Sequence, residues 1–147
     1  MRNILNYPQI ERSKIETVKI LIDRIAEGND DSVQALHELN RITGKIHAAS
    51  LFAEYWGWTD LDSLAEKAVT PEPPCVRDLT KDEITEIVSI ARNCLLSGDD
   101  NKAEYYEELL HKSLSLPNAA NFIMSEKKAA DIADDMLQAS SDSVILL

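Results

Sequence analysis

The chain has 147 residues, 44% of them hydrophobic, which is enough for one domain or for two small helical lobes with an apolar core. Fifteen basic residues against 26 acidic ones give a net charge of −11, and such a surface repels phosphate backbones and anionic lipids. The charge therefore argues against nucleic-acid and membrane partners and favours a basic protein partner. Solubility alone is the other explanation for it.

The chain shows no targeting or membrane segment in its sequence pattern. Its start, MRNILNYPQIERSK, contains no apolar stretch typical of a signal peptide, and no apolar run approaches the roughly 20 residues that a membrane helix needs. The cysteines, Cys75 and Cys94, lack metal-ligand spacing and are expected to be free thiols in a reducing compartment. These features predict a cytoplasmic protein.

Apolar periodicity and helix-end signals predict four helices in the first half of the chain. The first opens with a capping box formed by Ser13 and Glu16, and it ends at Gly28. The next three are expected at about residues 31–44, 47–56 and 59–68.

Residues 70–74 (TPEPP) cannot continue a helix, because each proline lacks an N–H and has a fixed φ. We therefore expect an N-terminal helical lobe over residues 1–70, a proline-rich hinge over 71–79 and a C-terminal helical lobe over 80–147, within a single compact domain.

The C-terminal half is predicted to contain three more helices. One begins at a capping box formed by Thr80 and Glu83 and ends at Gly98, and the next runs from Asp99 or Asp100 to about Leu114. Residues 116–121 are expected to form a loop before a helix capped by Ser125. No long stretch alternates with period two, so the expected fold is all-α, with about seven helices in a compact bundle.

The sequence contains no motif for catalysis, metal binding or cofactor binding. His37, His47 and His111 do not form an HExxH or HxxxH pair, and the P-loop, GxGxxG, GxSxG and EF-hand patterns are missing from the sequence. Adjacent carboxylates such as Glu107 and Glu108 point about 100° apart on a helix and do not converge on one substrate. We expect no enzyme, cofactor or metal site, although a small helical enzyme using scattered carboxylates is an alternative.

The densest acidic segment, residues 99–108, is the first candidate for protein binding. Part of its charge is ordinary helix chemistry, because carboxylates near a helix N-terminus complement the macrodipole. Glu107 and Glu108 lie too far inside the helix for that explanation. Tyr105 is placed on the polar side and is expected to be exposed, where its ring would supply contact area. The predicted contact residues are Asp99, Asp100, Glu104, Tyr105, Glu107 and Glu108.

The aromatic segment FAEYWGWTD, residues 52–60, is the second candidate. One interpretation makes Phe52 and Trp56 core residues, with Trp58 filling a corner between helices. The other has Tyr55 or Trp58 facing out as an interface anchor, since aromatic residues dominate binding hot spots. The secondary interface candidates are Tyr55, Trp58 and Asp60.

Four stretches point to a family when they are taken together: HELNRITGK at 37–45, FAEYW at 52–56, LDSLA at 61–65 and DLTKDEITEIV at 78–88. Their combination resembles bacterial immunity proteins, the antitoxins that protect a cell from bacteriocins and contact-dependent toxins, over residues 36–95. The Tyr105–Tyr106 pair among carboxylates is similar to the acidic helix and tyrosine pair of DNase-type colicin immunity proteins.

The resemblance implies an immunity protein that binds a cognate interbacterial toxin and blocks its active site or substrate path. The toxin is expected to be a basic nuclease domain, with the carboxylates of residues 99–108 taking the place of nucleic-acid phosphates. The alternative is a non-catalytic helical adaptor or assembly subunit that binds through the aromatic Tyr55–Trp58 region.

Overall fold

The computed structural model describes residues 2–28, 30–53, 55–57 and 59–145, with side chains up to residue 140. Over these residues the chain forms seven α-helices and no β-strand, so the all-α prediction is confirmed. Two compact units make up the chain. The N-terminal unit is Pro8–Pro71, and the C-terminal unit combines Met1–Tyr7 with Glu72–Leu147.

The N-terminal unit contains α1 (Arg12–Glu27), α2 (Ser32–Thr43) and α3 (Leu61–Val69), and α1 packs against both of the others. Gly28 and Gly44 end α1 and α2 with φ angles of +68° and +71°, a left-handed conformation that glycine adopts without steric strain. The helices form because their apolar residues recur every three or four positions and meet in one core. That core consists of Val18, Leu21, Ile22, Ile25, Ala35, Leu39, Phe52, Leu64, Ala65 and Ala68.

Two predictions for the N-terminal unit are wrong. Helix α1 already begins at Arg12, so Ser13 is helical and cannot adopt the extended conformation that a capping box needs. In place of a helix over 47–56, the chain forms two 3-10 turns, Ala49–Leu51 and Tyr55–Gly57. The His47 N–H donates to Asn40 Oδ1 at 3.0 Å, and this hydrogen bond ties the start of the segment to the end of α2.

The C-terminal unit contains α4 (Lys81–Ser97), α5 (Asp100–Leu114), α6 (Ala119–Ile123) and α7 (Ala129–Ile145). Helix α4 packs against α5 and α7. The predicted capping box is confirmed: the Glu83 N–H donates to Thr80 Oγ1 at 3.2 Å, and the Thr80 N–H donates to Glu83 Oε1 at 3.1 Å. The largest fully buried side chains of this unit are Leu5, Ile84, Ile87, Tyr106, Leu109, Leu110, Ile123 and Ile132.

The chain between α5 and α7 also differs from the prediction. A short helix, α6, replaces part of the expected loop over 116–121, and α7 begins at Ala129 without using Ser125 as its cap. Arg92 on α4 donates through Nε to the Ile123 carbonyl at 2.9 Å and also contacts the Ser125 carbonyl. A cation from another helix thus satisfies carbonyls at the end of α6, which local sequence patterns do not reveal.

Residues 2–7, the N-terminal segment, belong to the C-terminal unit. Leu5 is fully buried in its core, and the guanidinium of Arg2 donates to both Glu83 oxygens at 2.8 and 2.9 Å and to the Asp78 carboxylate at 3.2 Å. Hydrogen bonds from Arg2, followed by the one from the Thr80 N–H, lower the pKa of Glu83 to about 2. The segment is therefore fixed by both apolar burial and charge.

The end of the predicted hinge is also held against the C-terminal unit. The Val76 N–H donates to the buried Ser113 Oγ at 2.9 Å, and the exposed Cys75 thiol donates to the Lys112 carbonyl at 3.3 Å. Val76 itself is buried, as is Leu79. Both cysteines are free thiols.

Candidate functional site

Four carboxylates form one stripe along the solvent side of α5. Asp100, Glu104, Glu107 and Glu108 lie within about 100° of arc on a helix of 3.6 residues per turn, and we call them the acidic stripe. Asp100 and Glu104 are exposed, whereas Glu107 and Glu108 are partly buried. The opposite side of α5 is packed in the core, through Ala103, Tyr106, Leu109, Leu110, Ser113 and Leu114.

The packed side of α5 holds the acidic stripe in position.

The acidic stripe lies in the more negatively charged of the two units. The C-terminal unit has 8 basic and 15 acidic residues in its sequence, a net charge of −7, against −4 (7 basic, 11 acidic) for the N-terminal unit. The two lysines of α5 point to groups outside the stripe: Lys102 Nζ lies 5.7 Å from the centroid of the Tyr7 ring, and Lys112 Nζ lies 3.2 Å from Glu72 Oε2. Glu108 contacts His111 Nδ1 at 3.5 Å.

The stripe is electrostatically unfavourable at Glu107. Burial raises the pKa of the Glu107 carboxyl, and the negative charge of Glu104, one turn earlier on α5, raises it further. A raised pKa means that the folded protein holds the ionised carboxylate less well than the unfolded chain does. At neutral pH, charged Glu107 therefore reduces stability.

Substituting Glu107→Gln is expected to raise the free energy of unfolding at neutral pH by about 0.2–0.5 kcal/mol, because it removes the repulsion between like charges at i, i+3. The gain should shrink as the pH falls through the pKa of Glu107, since the wild-type carboxyl then becomes neutral as well. Urea unfolding of both proteins at neutral pH and at about pH 3 measures this difference.

The matched control is Glu108→Gln, which removes the repulsion with Glu104 at i, i+4 but also the contact with His111, and it is expected to bring a smaller gain because the two effects oppose each other. A loss of stability in Glu107→Gln at neutral pH, or a gain that persists unchanged in acid, would contradict the repulsion within the stripe.

Tyr105, predicted to be an exposed contact residue, is buried, and that prediction is wrong. Only 8% of Tyr105 is exposed, because the N-terminal segment covers the border of α5 on which it lies. The Tyr7 ring packs edge-to-face on Tyr105 with centroids 5.2 Å apart, and Tyr106 packs on its other side at 5.4 Å. The burial raises the pKa of the Tyr105 hydroxyl. Tyr105 therefore belongs to the core beneath α5 and is not part of its exposed acidic surface.

Asp99 and Asp100, predicted for the rim, lie at the start of α5. Asp99 is the N-cap residue, and its Oδ1 accepts the Lys102 N–H at 3.4 Å, so this carboxylate has a structural role. Asp100 is exposed in the first turn and belongs to the stripe. The structure thus brings Asp100, Glu104, Glu107 and Glu108 together and places Asp99 at the end of their row.

The secondary candidates lie in the N-terminal unit. Tyr55 is partly buried, and its hydroxyl donates to Asp23 Oδ1 at 2.6 Å. Asp60 caps α3 by accepting the Ser63 N–H at 2.8 Å, and this hydrogen bond lowers its pKa. Trp58 lies outside the described residues.

Trp56 is a second residue whose exposure differs from one of the sequence interpretations. Phe52 is fully buried, as expected, but 65% of Trp56 is exposed. The expectation of a shared core face rested on a helix over 47–56, and the 3-10 turns that replace it direct the two side chains differently.

A groove of about 670 Å³ lies between α1 and α2, with Leu21 and Ala35 among its lining residues. Arg24, His37 and the ion pair of Glu38 with Arg41 also line it. The pairing with Arg41 lowers the pKa of Glu38. The groove is therefore lined by both apolar and charged side chains, and two of the charges already neutralise each other.

Over the described residues, no group of three or more histidine, cysteine or carboxylate side chains is arranged to hold a metal ion. Within the same ranges, no helix combines the length and apolarity needed to cross a bilayer. The chain matches no protein-family model, no curated protein and no solved structure.

Proposed function

We propose that this protein is an immunity protein that binds a cognate interbacterial toxin, a basic nuclease domain, and neutralises it in the producing cell. The observation that carries the proposal is the acidic stripe on α5, where carboxylates lie close together although burial and, after it, the charge of Glu104 disfavour the ionised form of Glu107. Residues that disfavour folding in this way are typical of a surface that serves binding.

The mode of action follows from the chemistry of the stripe. A nuclease must present cations to the phosphates of its substrate, and carboxylates at similar spacing attract the same cations. Asp100, Glu104, Glu107 and Glu108 would occupy the path of the nucleic acid and so prevent access to the active site. Long-range attraction to a protein of net charge −11 would also accelerate association.

The resemblance of residues 36–95 to immunity proteins supports the same proposal through a different part of the chain. The motif at 37–45 covers the end of α2 and the two residues after it, the motif at 61–65 lies in α3, and the motif at 78–88 contains the capping box that starts α4. The stripe lies outside these motifs, so they support the proposal from other elements of the chain.

The experiment that tests the proposal is co-expression with the basic C-terminal domain of a large toxin encoded directly upstream of this gene. We expect growth to be rescued, and we expect the purified protein to inhibit cleavage of nucleic acid by that domain at a one-to-one ratio. An unrelated acidic helical protein is the control. Continued growth arrest together with uninhibited cleavage would reject the proposed function.

A further inference from the structure

The N-terminal unit presents an exposed aromatic residue that its own core does not use. Trp56 is in the 3-10 turn Tyr55–Gly57, and the Thr59 N–H donates to the Tyr55 carbonyl at 2.9 Å just after it. The Trp56 ring lies edge-to-face with Tyr55, at 5.5 Å between centroids and an interplanar angle of 73°. The local core is filled by Phe52, which is fully buried.

This turn is tied to α1 by Tyr55, whose hydroxyl donates to Asp23 Oδ1 at 2.6 Å. Ile20 lies three positions before Asp23 on the same side of α1 and is 57% exposed. We call Ile20, Asp23, Tyr55 and Trp56 the Trp56 patch. The Tyr55 ring is held by a hydrogen bond to a helix and packs edge-to-face on the Trp56 ring, so Tyr55 would lose little conformational entropy when a partner binds.

Two more carboxylates lie along α1 and at the start of α3, beyond the Trp56 patch itself. Glu16, on the same side of α1, and Asp62, in the first turn of α3, have side chains that are 76% and 77% exposed. Lys19 is the basic residue between them, and it is engaged with both carboxylates. A guanidinium approaching the patch would therefore meet the exposed Asp23 carboxylate and the electron-rich face of an indole.

We propose that the Trp56 patch is a docking surface for an arginine-bearing segment of a partner protein, with the guanidinium stacked on Trp56 and Asp23 as its nearest carboxylate. A second copy of this chain fits the patch poorly, because both copies carry a net charge of −11 and would repel each other. The proposal goes beyond the toxin-blocking function and uses none of the acidic stripe.

The test is an NMR titration of the full-length protein with a Gly-Arg repeat peptide, following the indole N–H signal of Trp56. The wild-type signal is expected to shift with saturation. Trp56→Ala, followed through the backbone amide signals of Asp23 and Tyr55, is expected to weaken binding of the peptide at this surface by about two- to fivefold. A Gly-Ser repeat peptide is the control for charge, and Leu96→Ala, at a residue that is 88% exposed on α4, is the control for loss of an exposed apolar side chain.

The titration is repeated in the double variant Glu107→Lys with Glu108→Lys, which removes attraction of the peptide to the acidic stripe. The Trp56 shift should persist there, so failure of this inference and failure of the proposed function give different results. An unmoved Trp56 signal in the wild type, an equal shift with the Gly-Ser peptide, or concentration-dependent self-association that moves the signal without peptide would each overturn the inference.

Discussion

Replacing Glu107 and Glu108 together by lysine is expected to weaken binding of the cognate basic toxin domain about a hundredfold or more, since each reversed charge contact is worth a factor of about ten. The loss should appear largely in the association rate, because the stripe attracts the partner before contact. It should also be larger at low salt, where charges are less screened. Surface plasmon resonance at low and physiological ionic strength measures both effects.

The matched control is Glu11→Lys with Glu126→Lys, two exposed positions outside α5. It changes the net charge by the same four units, and it is expected to weaken binding far less. Equal losses in the two double variants would show that overall charge is sufficient and that the acidic stripe has no special role.

Truncating Leu5 to alanine is expected to destabilise the C-terminal unit by about 2–5 kcal/mol, the usual cost of removing a fully buried leucine side chain. The N-terminal segment would lose its apolar anchor, and the Tyr7 ring would pack less firmly on Tyr105. Urea unfolding followed by the near-ultraviolet circular dichroism of the tyrosines measures the change.

Ile4→Ala is the control for the Leu5 substitution, because it shortens the neighbouring side chain, which is 57% exposed, and should change stability by less than about 0.5 kcal/mol. Similar unfolding midpoints for Leu5→Ala and the wild type would mean that the N-terminal segment does not belong to the core of this unit.

Much of the fold follows from patterns within about one helix length of each residue. The Thr80–Glu83 capping box, the left-handed glycines at 28, 44 and 98, and the apolar stripes of α1, α4 and α5 are local features that the folded chain keeps. Each depends only on nearby residues, because a capping side chain binds N–H groups one turn away and the apolar residues of a helix face recur every three or four positions. The acidic stripe was predictable for the same reason.

The errors arise where distant groups decide the outcome. Tyr105 lies at the border between the buried and polar sides of α5, and periodicity does not tell which border residue a remote segment will cover. Tyr7, about a hundred positions earlier, covers it. Arg92 similarly fixes the end of α6 from another helix. Trp56 is exposed where two 3-10 turns replace the expected helix, and that segment begins at His47, whose N–H donates to Asn40 of α2.

The measurement that tests the binding surface most directly is an NMR map of the isotope-labelled protein, free and in complex with the toxin's basic C-terminal domain. We predict that the largest amide shifts and line broadening fall on α5, at Asp100, Glu104, Glu107 and Glu108, and that they diminish in the Glu107→Lys, Glu108→Lys variant. A complex whose shifts leave these four residues unchanged and concentrate on other helices would contradict the role of the acidic stripe.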